Sequence, residues 1–283
     1  MKPALKLDIA ALTHIGLVRE SNEDAFLVVR NGRYMERIES NLPESLVAPR
    51  TEEFAHALML ADGMGGMAAG EVASQTALAT AVRQMLSAPR WALKLDDPAT
   101  RETEIAQMWE RARGYLTAVH TAIREQAERD PKLAGMGTTF TGAYCVGADL
   151  FVLHVGDSRA YLFREGELLK ITRDHTMAQE FEDAGMVPPG ESLDPRLRNV
   201  LTRAVGGPDV DIEGDIHHRQ LAPGDRIMMC SDGLTGMATD AEIADILAVA
   251  RTSEGACRAL VDLALERGGR DNVTVIVATV GAG

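Results

Sequence analysis

At 283 residues the chain fits one large domain or two small ones, and 46% hydrophobic residues exclude a disordered polymer. Lys and Arg number 29 against 42 Asp and Glu, a net charge of −13 with no basic block, which excludes a general binder of nucleic acid or of anionic membranes. The three cysteines (Cys145, Cys230, Cys257) form no CxxC pair and lie in apolar runs, so buried, inert thiols are expected rather than a zinc site or disulfides.

The N-terminal segment has no apolar core of the signal-peptide kind. No later stretch reaches the roughly 20 apolar residues of a membrane helix. A soluble, cytoplasmic protein is therefore expected. Residues 7–13 alternate as a strand, and Ala25–Val29 is a second strand running into Asn31-Gly32, a type I′ hairpin signal. Residues 35–53 are polar, contain Pro43 and Pro49, and read as an irregular excursion before the buried strand 54–61.

Gly63-Met64-Gly65-Gly66 then opens an Ala-rich helix, with Leu78, Val82, Met85 and Leu86 on one face. Residues 88–101 read as a loop. A second helix, about 102–129, places Ile105, Met108, Trp109, Ala112, Leu116, Val119 and Ile123 at helical spacing. From 137 to 172 the period returns to two, predicting four short strands (139–144, 150–155, 160–163, 168–172) that pair antiparallel in succession.

Residues 173–209 are turn-rich, and a stretch of that length in a compact domain is usually functional. A strand over 226–231 follows. Thr239-Asp240-Ala241-Glu242 is a capping box opening a helix, a further helix spans about 253–267 up to Gly268-Gly269, and 273–280 is the last strand. The order predicts a layered α+β domain with helices covering the sheets, and no repeat or linker divides it, so a single domain over 1–283 is expected.

Four aspartates flank apolar runs: Asp62, Asp157 and Asp232 end them and Asp271 begins one. Each alone fits a turn. Antiparallel neighbours bring one strand's end beside the next strand's start, so the four could meet at one rim. Clustered carboxylates repel unless cations hold them, and an all-oxygen set with Ser158 and Asn272 nearby favours Mg2+ or Mn2+. Arg19, in Arg19-Glu20-Ser21-Asn22-Glu23-Asp24, suits a phosphate, and Glu23 and Asp24 suit metal-bound waters. The run 63–68 also fits G-x-G-x-x-[GA], but Asp62 beside a pyrophosphate and the meander that follows count against dinucleotide binding. His56 and His154 read as ordinary strand residues, and Met59, Met228 and Met229 as core.

In order along the chain stand Gly16-Leu17-Val18-Arg19-x-x-Asn22-Glu23-Asp24, Ala61-Asp62-Gly63-Met64-Gly65-Gly66, Gly137-Thr138-Thr139, Val155-Gly156-Asp157-Ser158-Arg159-Ala160, Thr172-x-Asp174-His175, Ser231-Asp232-Gly233-Leu234 and Asp271-Asn272-Val273-Thr274. This series resembles the metal-dependent type 2C (PPM) family of protein serine/threonine phosphatases in its compact bacterial form. The resemblance implies a four-layer α/β/β/α sandwich, two antiparallel sheets flanked by helices. It also implies hydrolysis of phosphoserine and phosphothreonine on proteins by a hydroxide bridging two Mn2+ or Mg2+ ions.

By the same resemblance Asp62 bridges the ions, the Gly63 carbonyl binds one, and Asp232 and Asp271 complete one shell. Glu23 and Asp24 act through water, Asp157 with Asp232 holds a third, weaker ion, and Arg19 orients the phosphate. The catalytic set is thus Arg19, Asp62 and Asp232, with 173–209 as a flap carrying His175. Met64 stands where many members outside the bacterial group have a histidine acid, which leaves metal-bound water or His175 to protonate the leaving group. Met67 stands where bacterial relatives often have histidine and reads as a packing position. Expected partners are phosphoproteins and a serine/threonine kinase that the enzyme, a monomer, would oppose. The alternatives are a catalytically silent phosphatase-like module or a dinucleotide-binding protein.

Overall fold

The computed structural model describes residues 5–65, 69–87, 95, 97–187, 193–208 and 211–281. The chain opens with β1 (Lys6–His14), β2 (Asp24–Glu36) and β3 (Arg50–Met64), followed by helices α1 (Ala69–Ser87) and α2 (Arg101–Arg129). A two-residue strand β4 (Gly137–Thr138) precedes β5 (Phe140–Val146), β6 (Asp149–Val155), β7 (Arg159–Arg164) and β8 (Glu167–Lys170). After α3 (Met177–Asp183) come β9 (Asp215–Gln220) and β10 (Arg226–Cys230). Helices α4 (Asp232–Thr235), α5 (Asp240–Val249) and α6 (Ser253–Glu266) lead to β11 (Val273–Gly281).

The strands form two antiparallel sheets. One has the order β1-β11-β10-β7-β8, the other β2-β3-β5-β6-β9 with β4 beside the end of β3. Side chains alternate across each strand, and because both faces of both sheets are covered, the strands read as continuous apolar runs. Leu58 and Leu60 of β3 meet Ile227 and Met229 of β10 and Ile276 and Ala278 of β11 between the sheets. Ala57, Met59 and Ala61 face the other way, onto α1 and α2. Met228 and Cys230 with Val273, Val275 and Val277 face α5 and α6. The layers are therefore α/β/β/α, as the family resemblance implies. All three cysteines are buried and free, and Met59, Met228 and Met229 are core.

Several local expectations change. Asn31-Gly32 is not a turn: β2 continues to Glu36 and pairs with β3 in unbroken register, Asn31 opposite Ala55 and Gly32 opposite Phe54. Gly32 serves the ladder by lacking a side chain, since a Cβ there would lie 2.0 Å from the Phe54 ring. The irregular excursion shrinks to 37–49, because β3 starts at Arg50. The strands over 137–172 do not all pair in succession. β5 pairs with β6 and β7 with β8, but between β6 and β7 the chain crosses from one sheet to the other at Gly156-Asp157-Ser158.

In α1 the buried row is Ala73, Ala77, Leu78 and Ala81, whereas Leu86, in the last turn, is 80% exposed. Small residues let this helix approach the sheet closely, and Leu86 lies past that row. The short helices α3 and α4 had no periodic signal, being too brief to show one. Gly66, Met67 and most of 88–96 lie outside the described residues. Among the described residues no helix is long and apolar enough to cross a membrane.

Candidate metal centre

Asp24 and Asp62 stand directly opposite each other in the β2–β3 ladder. Asp62-Gly63 is thus strand rather than turn. The backbone of Asp62 is clamped by a threonine pair: its N–H donates to Thr139 Oγ1 (2.9 Å), while its carbonyl accepts from Thr139 N–H (2.9 Å) and Thr138 Oγ1 (2.9 Å). Thr139 Oγ1 also lies 2.9 Å from Ser158 Oγ, next to Asp157 at the crossover. In the other sheet Asp232 follows β10 and opens α4, while Asp271 precedes β11.

The Asp-Gly pairs have a steric reason. A Cβ on Gly63 would sit 2.0 Å from the Gly70 carbonyl oxygen, and one on Gly233 would sit 1.9 Å from that of Asn272. Glycine lets α1 and the start of β11 close on the carboxylates. The Gly63 N–H donates to the Glu23 carbonyl (3.1 Å), and the Glu23 carboxyl group lies against Gly70. Asn272 Oδ1 accepts from Glu23 N–H at 2.8 Å, and its Nδ2 donates to the Ile15 and Ser21 carbonyls.

Two hydroxyls join the sheets at this end. Ser231 Oγ and Thr274 Oγ1 each donate to Asp24 Oδ2 at 2.7 Å. Asp24 Oδ1 is buried and meets no hydrogen-bond partner among the described residues. Such an orphaned carboxylate oxygen is costly unless a cation or water takes it up.

Burial, reinforced by neighbouring carboxylates, disfavours the charged forms. Asp24 is pushed up to about 7, and Asp157 to about 8 with Asp232 the chief neighbour. Asp232 rises to about 6 and Asp62 goes well above the usual carboxylate range. Glu23 is also raised, chiefly by burial. Asp24 and Asp232 are the carboxylates that add most to the rise of Asp62.

Among the described residues no three acidic, histidine or cysteine side chains close around a single point. Two of the carboxylates already have other company: Asp24 has two hydroxyls, and Asp271 Oδ2 accepts from Arg19 Nη2 at 2.6 Å. The donor set nonetheless fits hard divalent cations: all-oxygen, mutually repelling when ionised, with one buried oxygen unpaired. Arg19, expected at a phosphate, here faces Asp271 with half its side chain exposed.

His175 is 1% exposed. Its Nδ1 accepts from Gly156 N–H (3.1 Å) and its Nε2 lies 3.3 Å from Asp215 Oδ2. Its carbonyl accepts from Thr202 N–H, so it fastens the 173–209 segment to the turn before Asp157 instead of facing an open cleft. That segment carries α3 and a 3-10 turn (Pro195–Asn199), and Val205 returns to pair with Thr138. Met64 pairs with Gly137 and offers no acid. The hydroxyls of Ser231, Thr274 and Thr139 carry roles that sequence reasoning did not assign, although each stands within or beside an apolar run next to a critical aspartate. Dinucleotide binding finds no support: β3 is followed through α1 and α2 by β5, its antiparallel neighbour, so no parallel βαβ unit forms.

The family model described as Protein phosphatase 2C matches residues 18–273. A Mycobacterium tuberculosis protein named serine/threonine protein phosphatase PstP is 38% identical over 276 residues, 98% of this chain. The chain spans 45% of the length of that relative. A Listeria welshimeri protein named serine/threonine phosphatase stp is 31% identical over 220 residues, 78% of this chain and 82% of the relative. Among solved structures, the catalytic domain of PstP in complex with two manganese ions superposes with a TM-score of 0.73 at 34% identity, covering 98% of this chain and 99% of that one.

Proposed function

The chain belongs to the protein phosphatase 2C family, and from that premise we propose that it hydrolyses phosphoserine and phosphothreonine on proteins with Mn2+ or Mg2+. The observation that carries this is the buried Asp24, opposite Asp62 in one sheet, held by Ser231 and Thr274 of the other and left with one oxygen unpartnered among the described residues. Asp62 with the Gly63 carbonyl, Asp232 and Asp271 would hold a pair of cations directly. Glu23 and Asp24 would hold them through water, and Asp157 with Asp232 a third, weaker ion. Such ions, when bound, supply Lewis acidity to the phosphoryl oxygens and lower the pKa of the attacking water.

The chain's own residues do the rest. Ser231 and Thr274 keep Asp24 oriented, and the Thr138–Thr139 clamp fixes Asp62. The Arg19 guanidinium, half exposed beside Asp271, would grip two phosphate oxygens and stabilise charge developing on them. Met64 has no proton to give and His175 is buried, so the leaving seryl or threonyl oxygen takes its proton from water. Attack by water needs no covalent enzyme intermediate.

We read 1–283 as one phosphatase domain, since residues of one sheet hold Asp24 of the other. The substrates we propose are products of a bacterial serine/threonine kinase, a class supported by the names of the relatives above. Hydrolysis of a phosphothreonine peptide with Mn2+, with excess EDTA, and by Asp232→Asn tests the proposal. Loss of activity in the last two is expected, and turnover that survives EDTA would refute it.

A further inference from the structure

Between the six-stranded sheet and helices α1 and α2, apart from the carboxylates, lies a partly open cavity of about 100 Å3. Its walls are the thioethers of Met59, Met85 and Met108 and the rings of Phe140 and Phe151. The space exists because the residues around it are small. Gly142 sits mid-strand in β5, and Ala81 of α1 and Ala112 of α2 face it across the layer. An engineered apolar cavity of about 150 Å3 stays dry and takes benzene. This one, open on one side, has room for a single ring whose substituent can protrude.

One wall is polar. Asn31, which the local sequence marks as a turn, instead continues the inward row of β2 after Ala25, Leu27 and Val29. Its Oδ1 is buried and accepts no hydrogen bond from any described residue. Its Nδ2 reaches Tyr144 Oη, at 3.5 Å, and no other described residue. Arg111, also at the cavity, donates its Nε to the Gln107 carbonyl. A buried amide oxygen without a donor is costly, and a ligand hydroxyl would cure it by donating to Oδ1 while accepting from Tyr144 Oη. Arg111 at the wall disfavours a cationic ligand, and donation to Oδ1 requires that the hydroxyl keep its proton, so a neutral ligand fits.

We propose that this cavity binds a small neutral phenol, its ring among the methionines and phenylalanines and its hydroxyl between Asn31 and Tyr144. The site is independent of the phosphatase reaction. Flexible thioethers suit it, since they adapt to a ring and make favourable sulfur–aromatic contacts.

The test is calorimetric titration of the full chain with 4-methylphenol and with toluene, which differ by the hydroxyl alone. Saturable one-to-one binding is expected, with 4-methylphenol about fivefold tighter, the factor one net hydrogen bond supplies. Asn31→Leu should reduce that preference, since only the Tyr144 hydroxyl is left to the ligand, and Ala112→Leu should abolish binding of both by filling the space. Should circular dichroism show Ala112→Leu unfolded, Ala81→Leu fills the same space from α1. No saturable binding, equal affinities in the wild type, a preference undiminished by Asn31→Leu, or binding undiminished in the filled variant would each overturn the proposal.

Discussion

Ser231 donates its hydroxyl to Asp24 across the seam between the sheets, at 2.7 Å, and Thr274 donates to the same oxygen from the neighbouring strand. These bonds favour the ionised carboxylate, while burial pushes Asp24 up to about 7. Thr274→Val keeps the side-chain shape and removes one donor. In the metal-free protein at about pH 8, where Asp24 is charged, the variant should lose about 1–3 kcal/mol of stability by urea unfolding. At about pH 5.5 Asp24 is protonated and the loss should be clearly smaller. Equal losses at both pH values would mean that the hydroxyl serves only its other neighbour, Thr13 Oγ1, at 2.7 Å.

The raised carboxyl groups set a second pH dependence. Their folded pKa values lie above the ordinary 3.8: about 7 for Asp24, about 8 for Asp157 and about 6 for Asp232. The folded chain thus holds protons that the unfolded chain has released, and this contribution is lost as pH rises from about 4 to about 8. Divalent cations replace those protons, so their binding strengthens over the same window. The rise in melting temperature given by saturating Mn2+ over EDTA should be larger at about pH 8 than at about pH 5.5. Asp62→Asn should remove most of that rise while leaving the metal-free protein at least as stable, because an amide takes no part in the repulsion among the carboxylates.

Arg19 and Asp271 form an ion pair with side chains 51% and 34% exposed. Solvent screens such a pair, so Arg19→Ala should change stability by less than about 1 kcal/mol. Its effect belongs to substrate binding and the transition state. We expect kcat/KM on a phosphothreonine peptide to fall by about 10- to 100-fold, with Arg19→Lys recovering part of it, since lysine lacks the bidentate fork. A stability loss of several kcal/mol, or unchanged kinetics, would give Arg19 a structural role instead.

The aspartates were legible because each interrupts an apolar run, and an interruption at a strand end is a property of the local sequence. Long-range register was not legible. Asn31-Gly32 carries a strong turn signal, yet pairing that continues through Glu36 opposite Arg50 outweighs it. The crossing between sheets at Asp157 leaves no trace, since alternation looks the same whichever sheet a strand joins. Ser231 and Thr274 stand in the family motifs without an assigned role, because a hydroxyl beside or within a buried strand gains its role only from a residue more than two hundred positions away. The contact of Arg19 with Asp271, also distant in sequence, was hidden for the same reason.

His154 offers the sharpest acid-side test. It is fully buried in β6, with Nδ1 3.0 Å from Thr141 Oγ1 and Nε2 3.0 Å from the Arg173 carbonyl. A neutral ring satisfies both by accepting at Nδ1 and donating at Nε2. Charging it would reverse the first bond, Nδ1 then donating to the Thr141 hydroxyl, and would bury a cation beside the ring of His175, although Asp174 and Asp215 partly compensate. Burial therefore lowers its pKa from 6.5 to about 3. A depressed histidine contributes stability that is present above its unfolded pKa and lost as pH falls toward its folded one. At about pH 5 the gap of about 1.5 units to the unfolded pKa costs about 2 kcal/mol. His154→Gln cannot charge, so it should be less stable than wild type at about pH 8, where only its poorer packing counts, and should recover about 2 kcal/mol of that difference by about pH 5. Urea unfolding of both proteins at the two pH values measures this directly, and parallel pH profiles would show that His154 does not govern the acid limb.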